Sequence, residues 1–428
     1  MSRPLVLRGG EVLDAAGRRR ADVVVADGVV RAVGPDVARE APGRALVLDA
    51  GGCVVAPGLV DLHAHLREPG REEAETVETG ARSAALGGYT AVVAMPNTEP
   101  PVDCAAVATE VLALGARAPV EVAVAGAITV GRRGERLAPM GELAALGVRI
   151  FTDDGAGVQD GALMRRALDY ARGLGVTLAQ HCEDAALAAG GTMHEGAWSS
   201  RLGLPGAPAA AEETMVARDI ALARLTGARL HFLHLSTEGS VELVRRAKAE
   251  GLCVTAEVTP HHLVLTDAAC AGYDPVFKVS PPLRRQEDVE RLRAGLADGV
   301  LDAIATDHAP HAPEAKDLPF DEAPPGMLGL ETALSVALSF LGLELALACM
   351  SWRPAQIAGL APRQGGPVVE GACANLCVID PAATWTVDPA RLASRSRNTP
   401  FPGWTFTGRV RHTIAAGEAV VVDAEAQR

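Results

Sequence analysis

Two histidines and an arginine, His63, His65 and Arg67, alternate with apolar residues in the segment GLVDLHAHLREPG, residues 58–70. His63 and His65 stand two positions apart, so in a β-strand their side chains lie on the same face. Neutral imidazoles are common ligands of zinc and similar metals, whereas a strand that only builds a core has no need of them. The spacing therefore predicts a strand that ends in a metal site, rather than a pair of hydrogen-bonded core histidines.

Other polar candidates follow apolar runs farther along the chain. They are Asn97 in AVVAMPNTEP, Asp153 and Asp154 in TDDG, His181 in AQHCED, His234 in LHFLHL and Asp307 in ATDHAP. Four histidines with two aspartates suit two metal ions joined by one carboxylate, a centre that polarises a carbonyl group and lowers the pKa of a water molecule. A carboxylate beside the metal is also a natural proton carrier, and Asp307 is the candidate for that role.

Some neighbouring residues leave alternatives open. In TDDG one aspartate binds the metal while the other caps a turn, and strand parity does not separate Asp153 from Asp154 at a strand end. His231 and His234 are three positions apart, which places them on opposite faces of a strand, so we predict that His234 is the ligand and His231 is structural. The two histidines of VTPHHL are predicted to have supporting or structural roles.

The elements that carry these residues alternate between strands and helices. Strand-like apolar runs lie near residues 59–65, 89–96, 121–129, 148–153, 176–181, 229–235, 253–259 and 302–306, with alanine-rich helical patterns between them. Eight such repeats predict an α/β fold, a (β/α)8 TIM-like barrel. The candidate ligands lie at the carboxyl ends of these strands, where barrel enzymes build their sites. Residues 306–330, rich in proline and acidic residues, are predicted to form a long functional loop.

Both ends of the chain differ from this middle region. The first 55 residues read as short strands separated by glycine turns, and similar patterns return near the C terminus in ANLCVID and GRVRHTIAAGEAVVVD. We therefore predict a small β-sandwich-like domain formed by residues 1–55 and 365–428, which flanks a barrel of residues 56–364.

The bulk composition limits the function. The chain of 428 residues is 48% hydrophobic, which permits a large core, and its net charge of −13 argues against nucleic acid or an anionic membrane as a main partner. No apolar run approaches the ~20 residues of a membrane span, and the first residues lack an apolar signal core, so we expect a cytoplasmic protein. Only three lysines occur, Lys248, Lys278 and Lys316, beside 37 arginines, and a compositional bias of the genome is the first explanation.

A series of sequence motifs occurs in an order typical of one enzyme family: DLHAHLREPG, MPNTEPP, TDDGAGVQ, HCED, GTMHEGAWSSRLGLPG, HLST, AEVTPHHL, PPLR, ATDHAPH and NTPFPGW. The chain thereby resembles bacterial dihydroorotases of the long-chain (class I) type, in the amidohydrolase superfamily, from about residue 5 to about residue 420. The resemblance implies a barrel with a flanking β domain, zinc, and the step of pyrimidine biosynthesis that interconverts N-carbamoyl-L-aspartate and L-dihydroorotate plus water. In this interpretation a zinc-bound hydroxide attacks the ring amide, and Asp307 acts as general acid and base.

The resemblance also implies a role for each candidate ligand. His63, His65 and Asp307 match the ligands of one zinc. His181 and His234 match the ligands of a second zinc, and Asp154 matches the bridge between the two metals. Many relatives bridge their metals with a carboxylated lysine from strand four, but this sequence has no lysine before Lys248. An aspartate bridge is therefore what the residues permit, with one or two zinc ions in each subunit.

Further positions match the substrate contacts of the family. They are His65, Arg67, Asn97, Ser280, His311, Pro325 and Gly326. The arginine and the asparagine match the pair that binds the substrate carboxylate, a role that suits an arginine because its guanidinium donates two parallel hydrogen bonds. Two residues depart from the family pattern, since Ser280 stands where Asn is common and Pro325 where Phe is common. A backbone contact would survive at position 325.

Two other functions compete with this interpretation. Hydantoinases and allantoinases, which are also cyclic amidohydrolases, usually need the bridging lysine and lack Arg67 in this context. A non-catalytic scaffold of aspartate transcarbamoylase would have lost metal-binding histidines, and all four are present here. The resemblance is compatible with a homodimer and with association of an active enzyme with that transcarbamoylase. The expected ligand is a small molecule, with neither nucleic acid nor membrane as a partner.

Overall fold

The computed structural model describes residues 3–41 and 43–427. Its first segment forms strands because runs rich in valine and leucine are separated by glycine turns. These strands are β1 (Leu5–Arg8), β2 (Glu11–Asp14), β3 (Gly17–Arg20), β4 (Asp22–Ala26), β5 (Val29–Gly34), β6 (Leu46–Asp49) and β7 (Val54–Pro57). Four of them form a sheet in the order β5-β4-β1-β6, in which β1 and β6 run parallel.

The strands of the middle region follow the predicted alternation with helices. They are β8 (Leu59–Ala64), β9 (Tyr89–Ala94), β10 (Glu121–Val124), β11 (Ile150–Phe151), β12 (Thr177–Gln180), β13 (Met193–His194), β14 (Gly206–Ala207), β15 (Leu230–Phe232), β16 (Val254–Val258) and β17 (Ala303–Ile304). The short strands β13 and β14 pair only with each other in the described chain, outside the main ring.

The other eight strands of the described middle region close into a barrel. They form two parallel groups, β10-β9-β8 and β11-β12-β15-β16-β17. Isolated parallel bridges join the groups at both seams, one between Gly126 and Phe151 and the other between Ala64 and His308. The prediction of a (β/α)8 barrel is confirmed. Each strand is shorter than its predicted run, because the chain leaves the ladder at the carboxyl ends to form the loops of the barrel mouth.

Helices follow the strands of the ring, and most of them pack against its outside. They are α1 (Val77–Leu86), α2 (Ala105–Gly115), α3 (Met140–Ala145), α4 (Gly161–Leu174), α5 (Ala197–Leu202), α6 (Ala210–Thr226), α7 (Glu238–Ala249), α8 (Gln286–Ala297), α9 (Pro313–Lys316), α10 (Ala333–Leu338), α11 (Leu343–Leu347) and α12 (Arg353–Ile357). Side-chain caps fix several starts: Thr76 accepts a hydrogen bond from Thr79 N at α1, and Asp160 accepts one from Leu163 N at α4. Within the described residues, no helix is long and apolar enough to cross a lipid bilayer.

Strand periodicity separates the inside of the ring from the layer beneath the helices. On β8, Val60 and Leu62 belong to a buried cluster made mainly of strand residues, whereas Leu59 packs in the cluster that includes the helices. The pairing of β8 with β9 changes register between Asp61 and Ala64, next to His63. Bulges of this kind re-aim side chains at the rims of barrels.

The C-terminal segment returns to the strands of the N-terminal segment. Its strands are β18 (Leu376–Thr386), β19 (Thr405–Ala415), β20 (Glu418–Val422) and β21 (Glu425–Ala426). They extend a sheet whose order is β21-β20-β19-β18-β7-β2-β3, so both ends of the chain share it. Buried residues of the two terminal sheets, such as Val23, Val55 and Ile414, pack in one cluster. The predicted β domain built from both ends of the chain is confirmed.

Candidate metal centre

The six predicted metal ligands converge at the carboxyl ends of the barrel strands. They are His63 at the end of β8, His65 just after it, Asp154 after β11, His181 after β12, His234 after β15 and Asp307 after β17. Each of these residues is at most 6% exposed. Short strands with loops at their carboxyl ends therefore bring together residues that are up to 244 positions apart in the sequence.

The His63 ring has a defined orientation. Its Nδ1 donates a hydrogen bond to Glu257 Oε1 over 3.1 Å, so the lone pair of the neutral ring lies on Nε2. That Nε2 is buried and has no hydrogen-bond partner among the described residues. It lies 3.4 Å from Asp154 Oδ2 and 3.5 Å from Asp307 Oδ1. Burial alone would lower the pKa of His63, but Asp154 and Asp307 raise that pKa well above its ordinary value, so the arrangement favours a cation at this point, either a proton on Nε2 or a metal ion.

The His65 ring is oriented in the same manner. Its Nδ1 donates to Asn97 Oδ1 over 2.8 Å, which leaves the Nε2 lone pair 3.0 Å from Asp307 Oδ1. The same Nε2 lies 3.5 Å from Asp154 Oδ2. Hydrogen bonds to the outer ring nitrogen fix the tautomer of metal-binding histidines in just this way.

Asp154 lies between two pairs of histidines. Its Oδ2 faces His63 and His65, while its Oδ1 lies 3.6 Å from His181 Nδ1 and 3.5 Å from His234 Nε2. Those two nitrogens are 3.0 Å apart. Burial alone would raise the pKa of the Asp154 carboxyl, but the surrounding histidines hold that pKa well below its ordinary value. The carboxylate therefore has the position of a bridge between two groups of ligands.

The donor set fits a divalent metal of the zinc type. Ligand atoms of His63, His65 and Asp307 lie within 4.8 Å of one another, and so do those of His63, Asp154 and His234. All are imidazole nitrogens or carboxylate oxygens, which are the ligands that zinc takes when thiolates are absent.

The two aspartates of TDDG have separate contacts. Asp153 accepts hydrogen bonds from Ile128 N over 2.8 Å and from Thr129 N over 3.0 Å, and it also bonds the Thr129 hydroxyl. It therefore holds the loop after β10, whereas its neighbour Asp154 faces the histidines.

The expectation that His231 and His234 point to opposite faces is wrong. Strand β15 ends at Phe232, and His234 follows with a φ of 30°, so the alternation does not extend to it. His231 is buried, and its Nε2 donates to Glu257 Oε2 over 3.0 Å. It reaches the cluster through this carboxylate, which agrees with a supporting role.

Glu257 is a residue that the sequence reasoning did not select. It is fully buried in β16 and links His231 to His63 through its two oxygens. Burial would raise its pKa, but the hydrogen bonds from the two histidines lower that pKa to about 2. A signal was present, because a glutamate inside the otherwise apolar strand VTAEV must find buried partners.

Three site residues have a backbone conformation that is rare for side chains other than glycine. The φ angles are 61° at Arg67, 30° at His234 and 44° at Asp307. Such residues cost free energy, of order 1 kcal/mol or more, and persist where the surrounding contacts determine them. They accumulate here because the chain turns sharply where each strand ends at the cluster.

A cavity of about 500 Å³ opens beside the cluster. Its lining includes every predicted substrate contact: His65, Arg67, Asn97, Ser280, His311, Pro325 and Gly326. Arg67 is 8% exposed, and its Nε donates to Pro310 O over 3.1 Å. Among the described residues no carboxylate oxygen lies within 4.0 Å of its guanidinium. Burial lowers the pKa of Arg67 to about 10, so the group remains a buried cation without an anion.

Loops form the other wall of the cavity. His311 Nε2 donates to Pro325 O over 2.8 Å, and Gly326 N donates to Lys278 O over 2.9 Å. The predicted loop 306–330 thus folds back on itself and on the segment before Ser280; it contains only the short helix α9. Burial and the nearby Arg67 lower the pKa of His311 to about 3, so its imidazole is neutral.

Comparisons with known proteins agree with this geometry. A family model described as dihydro-orotase-like matches residues 52–240. The chain is 52% identical to a protein named dihydroorotase from Anaeromyxobacter dehalogenans, with full coverage of both chains. It is 51% identical to one from Mycobacterium tuberculosis, with 94% of this chain and 95% of the relative covered.

Solved structures of other cyclic amidohydrolases share the fold. The L-hydantoinase of Arthrobacter aurescens superimposes with a TM-score of 0.89 at 27% identity, over 100% of this chain and 98% of the other. The dihydropyrimidinase of Brevibacillus agri superimposes with a TM-score of 0.85 at 24% identity, over 99% and 96% of the two chains, a likeness that concerns the fold alone.

Proposed function

The chain belongs to the dihydroorotase family, and from this premise we propose that it interconverts N-carbamoyl-L-aspartate and L-dihydroorotate at the cavity beside the histidine cluster. The observation that carries the proposal is the buried Arg67 guanidinium, a cation without a carboxylate partner in the described chain, on the same cavity as the candidate metal ligands. Both proposed reactants carry a carboxylate and an amide carbonyl, which such a pair of sites can bind together.

The proposed metal is zinc, one or two ions in each subunit. Its ligands in this proposal are His63, His65, Asp154, His181, His234 and Asp307. A bound zinc ion supplies a Lewis acid that polarises the amide carbonyl and lowers the pKa of a water molecule. Support for Asp154 as the bridging ligand comes from its two oxygens, each of which faces a different pair of histidines.

Asp307 is the proposed proton carrier. It lies at the cavity edge, and its Oδ1 contacts both His63 and His65. Burial would raise its pKa, but the two histidines hold the pKa below its ordinary value, so the carboxylate is ionised. During hydrolysis it takes the proton of the attacking water and delivers it to the departing ring nitrogen. During cyclisation it removes a proton from the carbamoyl nitrogen instead.

Arg67 and Asn97 are the proposed binding groups for the substrate carboxylate, and His311 is a further proposed substrate contact. Because Arg67 Nε is already bonded to Pro310 O, its two terminal nitrogens are the donors that can form a fork on a carboxylate. Ser280, Pro325 and Gly326 are the proposed substrate contacts on the loop side of the cavity, and all three line it.

A turnover assay tests this proposal. We expect the purified protein to cyclise N-carbamoyl-L-aspartate and to hydrolyse L-dihydroorotate much faster than hydantoin or allantoin. Dialysis against a chelator should abolish both reactions, and added zinc should restore them, with one or two metal ions per chain by elemental analysis. Full activity after complete metal removal, or a preference for hydantoin, would overturn it.

The proposal includes two further points, the first from the family resemblance and the second from the strand patterns of the sequence. One is association with a second copy or with aspartate transcarbamoylase. The other is the division into residues 56–364 and a domain of residues 1–55 with 365–428. Light scattering of the purified chain, alone and mixed with that transcarbamoylase, tests the first, and limited proteolysis tests the second.

A further inference from the structure

Each of the three lysines of this arginine-rich chain has a specific contact. Lys248 donates to both oxygens of Asp302 over 2.7 Å, far from the cavity lining. Lys278 Nζ donates to Asp321 O over 2.8 Å. Lys316 Nζ donates to Pro275 O over 2.9 Å, to Pro324 O over 2.8 Å and to Lys278 O over 3.4 Å. With 37 arginines in the sequence, the lysine at position 316 calls for a physical reason.

The reason lies in the shape of the donor. An ammonium group has three donors in a tetrahedral arrangement, which matches three carbonyl oxygens that converge on one point. A guanidinium is planar and larger, so it does not fit the same three acceptors. In the described chain no carboxylate oxygen lies within 4.0 Å of Lys316 Nζ, and backbone dipoles hold this cation. Burial, with Lys278 nearby, accordingly lowers the pKa of Lys316 to about 7.

The three carbonyls belong to the two segments that form the loop wall of the cavity. Pro324 precedes Pro325, whose carbonyl accepts the hydrogen bond from His311. Lys278 lies two positions before Ser280, and its carbonyl also accepts the hydrogen bond from Gly326 N. The ammonium group therefore ties the segment 324–326 to the segment 275–280, and residues of both segments line the cavity.

Other hydrogen bonds also hold this wall: Gly326 N donates to Lys278 O, Lys278 Nζ donates to Asp321 O, and Asn398 Nδ2 donates to Gly326 O. Most of residues 313–325 are exposed or half-buried, and Phe320 and Ala323 are the buried apolar residues of that stretch. Phe320 packs with Met193 and Cys270 in a small cluster. Neither Pro325, Gly326 nor Ser280 belongs to this cluster, so hydrogen bonds to the backbone set their relative positions, and Lys316 donates three of these bonds.

We propose that Lys316 is a positioning residue that sets the distance between the two halves of the substrate wall, and that position 316 requires an ammonium group in particular. The inference rests on the proposed function, because it gives Ser280, Pro325 and Gly326 their role as substrate contacts. Since Lys316 does not line the cavity, its loss changes the affinity for the substrate more than the chemical step.

Kinetics of four variants test the inference. We expect Lys316→Met and Lys316→Arg to raise KM for N-carbamoyl-L-aspartate by roughly 10-fold, the effect of a lost hydrogen bond to a charged group, with kcat within about 3-fold of wild type. The matched controls Lys248→Met and Lys248→Arg should leave both constants unchanged. A wild-type KM in Lys316→Arg would overturn the requirement for an ammonium group, and an equal KM change in the Lys248 pair would overturn the positioning role.

Hydrogen exchange of the same variants gives a readout independent of turnover. The Gly326 amide, bonded to Lys278 O, should exchange faster in Lys316→Met than in wild type, and Lys248→Met should leave it unchanged. Unchanged exchange in Lys316→Met would overturn the inference. A wild-type protein that does not turn over carbamoyl aspartate would overturn the proposed function alone, because the exchange measurement still tests the tie between the two segments.

Discussion

On the metal side of the cavity, hydrogen bonds between side chains orient the site residues: Glu257 orients His63, and Asn97 orients His65. On the loop side, the contacts run to the backbone, as Lys316 and Asn398 bond carbonyl groups of neighbouring segments. The first arrangement depends on the residue type at each position, because a side chain of another type would not form the same hydrogen bond. The second fixes only where the chain lies. Substitutions on the two sides should therefore have different kinetic consequences.

The largest effect is expected on the metal side. Asp307→Asn removes the proposed proton carrier but keeps the size of the side chain, so kcat should fall by roughly 10³-fold while the protein stays folded. Steady-state kinetics, with circular dichroism as the control for folding, measure this effect. If kcat changed by less than about 3-fold, Asp307 would not be the proton carrier.

Arg67 lies on the metal side of the cavity, and its charged guanidinium is the proposed binding group for the substrate carboxylate. Arg67→Met should raise KM for L-dihydroorotate by about 100-fold, because a buried charged hydrogen-bond pair is lost. Dihydrouracil has the same ring without the carboxylate, so its slow hydrolysis should be little affected by the same substitution. Equal losses for both compounds would show that Arg67 supports the fold of the site and not the carboxylate.

Glu257→Gln should weaken metal binding while changing little else. Loss of the charge on the partner of a metal-binding histidine costs about 10-fold to 100-fold in metal affinity. Competition with a chromophoric chelator measures this constant without any assay of turnover. Thr255→Val, which removes a contact of His231 on the side away from Glu257, is the matched control and should bind metal as wild type does.

The smallest effect is expected for the loop side. Asn398 Nδ2 donates to Ala309 O over 3.0 Å and to Gly326 O over 3.2 Å, and its Oδ1 accepts from His311 N over 3.3 Å. Asn398→Ala should raise KM by about 5-fold with kcat nearly unchanged, because neutral hydrogen bonds position the wall. A larger fall in kcat than rise in KM would mean that the two sides are not separable.

The same difference explains which parts of the molecule the sequence could predict. The barrel was predictable from the period of its apolar runs. His63, His65 and Asp307 were predictable because histidine and aspartate at the ends of buried strands are typical metal-binding residues. Asn398 lies in the motif NTPFPGW and Lys316 is one of three lysines, but their contacts could not be predicted, because their partners are backbone carbonyls that any residue offers. The inward position of both His231 and His234 was missed because the length of β15 depends on packing and not on the local pattern.

The shared terminal sheet has a consequence for the order in which the enzyme can be assembled. Strand β7 pairs with β2 on one side and with β18 on the other, so this sheet can be completed only after the whole barrel has been synthesised. The segment that bonds Glu75 and His311, at Ser394 and Asn398, also lies beyond every barrel strand. The proposed metal ligands are therefore all present in a nascent chain once residue 307 has been added. The loop wall of the cavity can be completed only later, after Ser394 and Asn398 have been added.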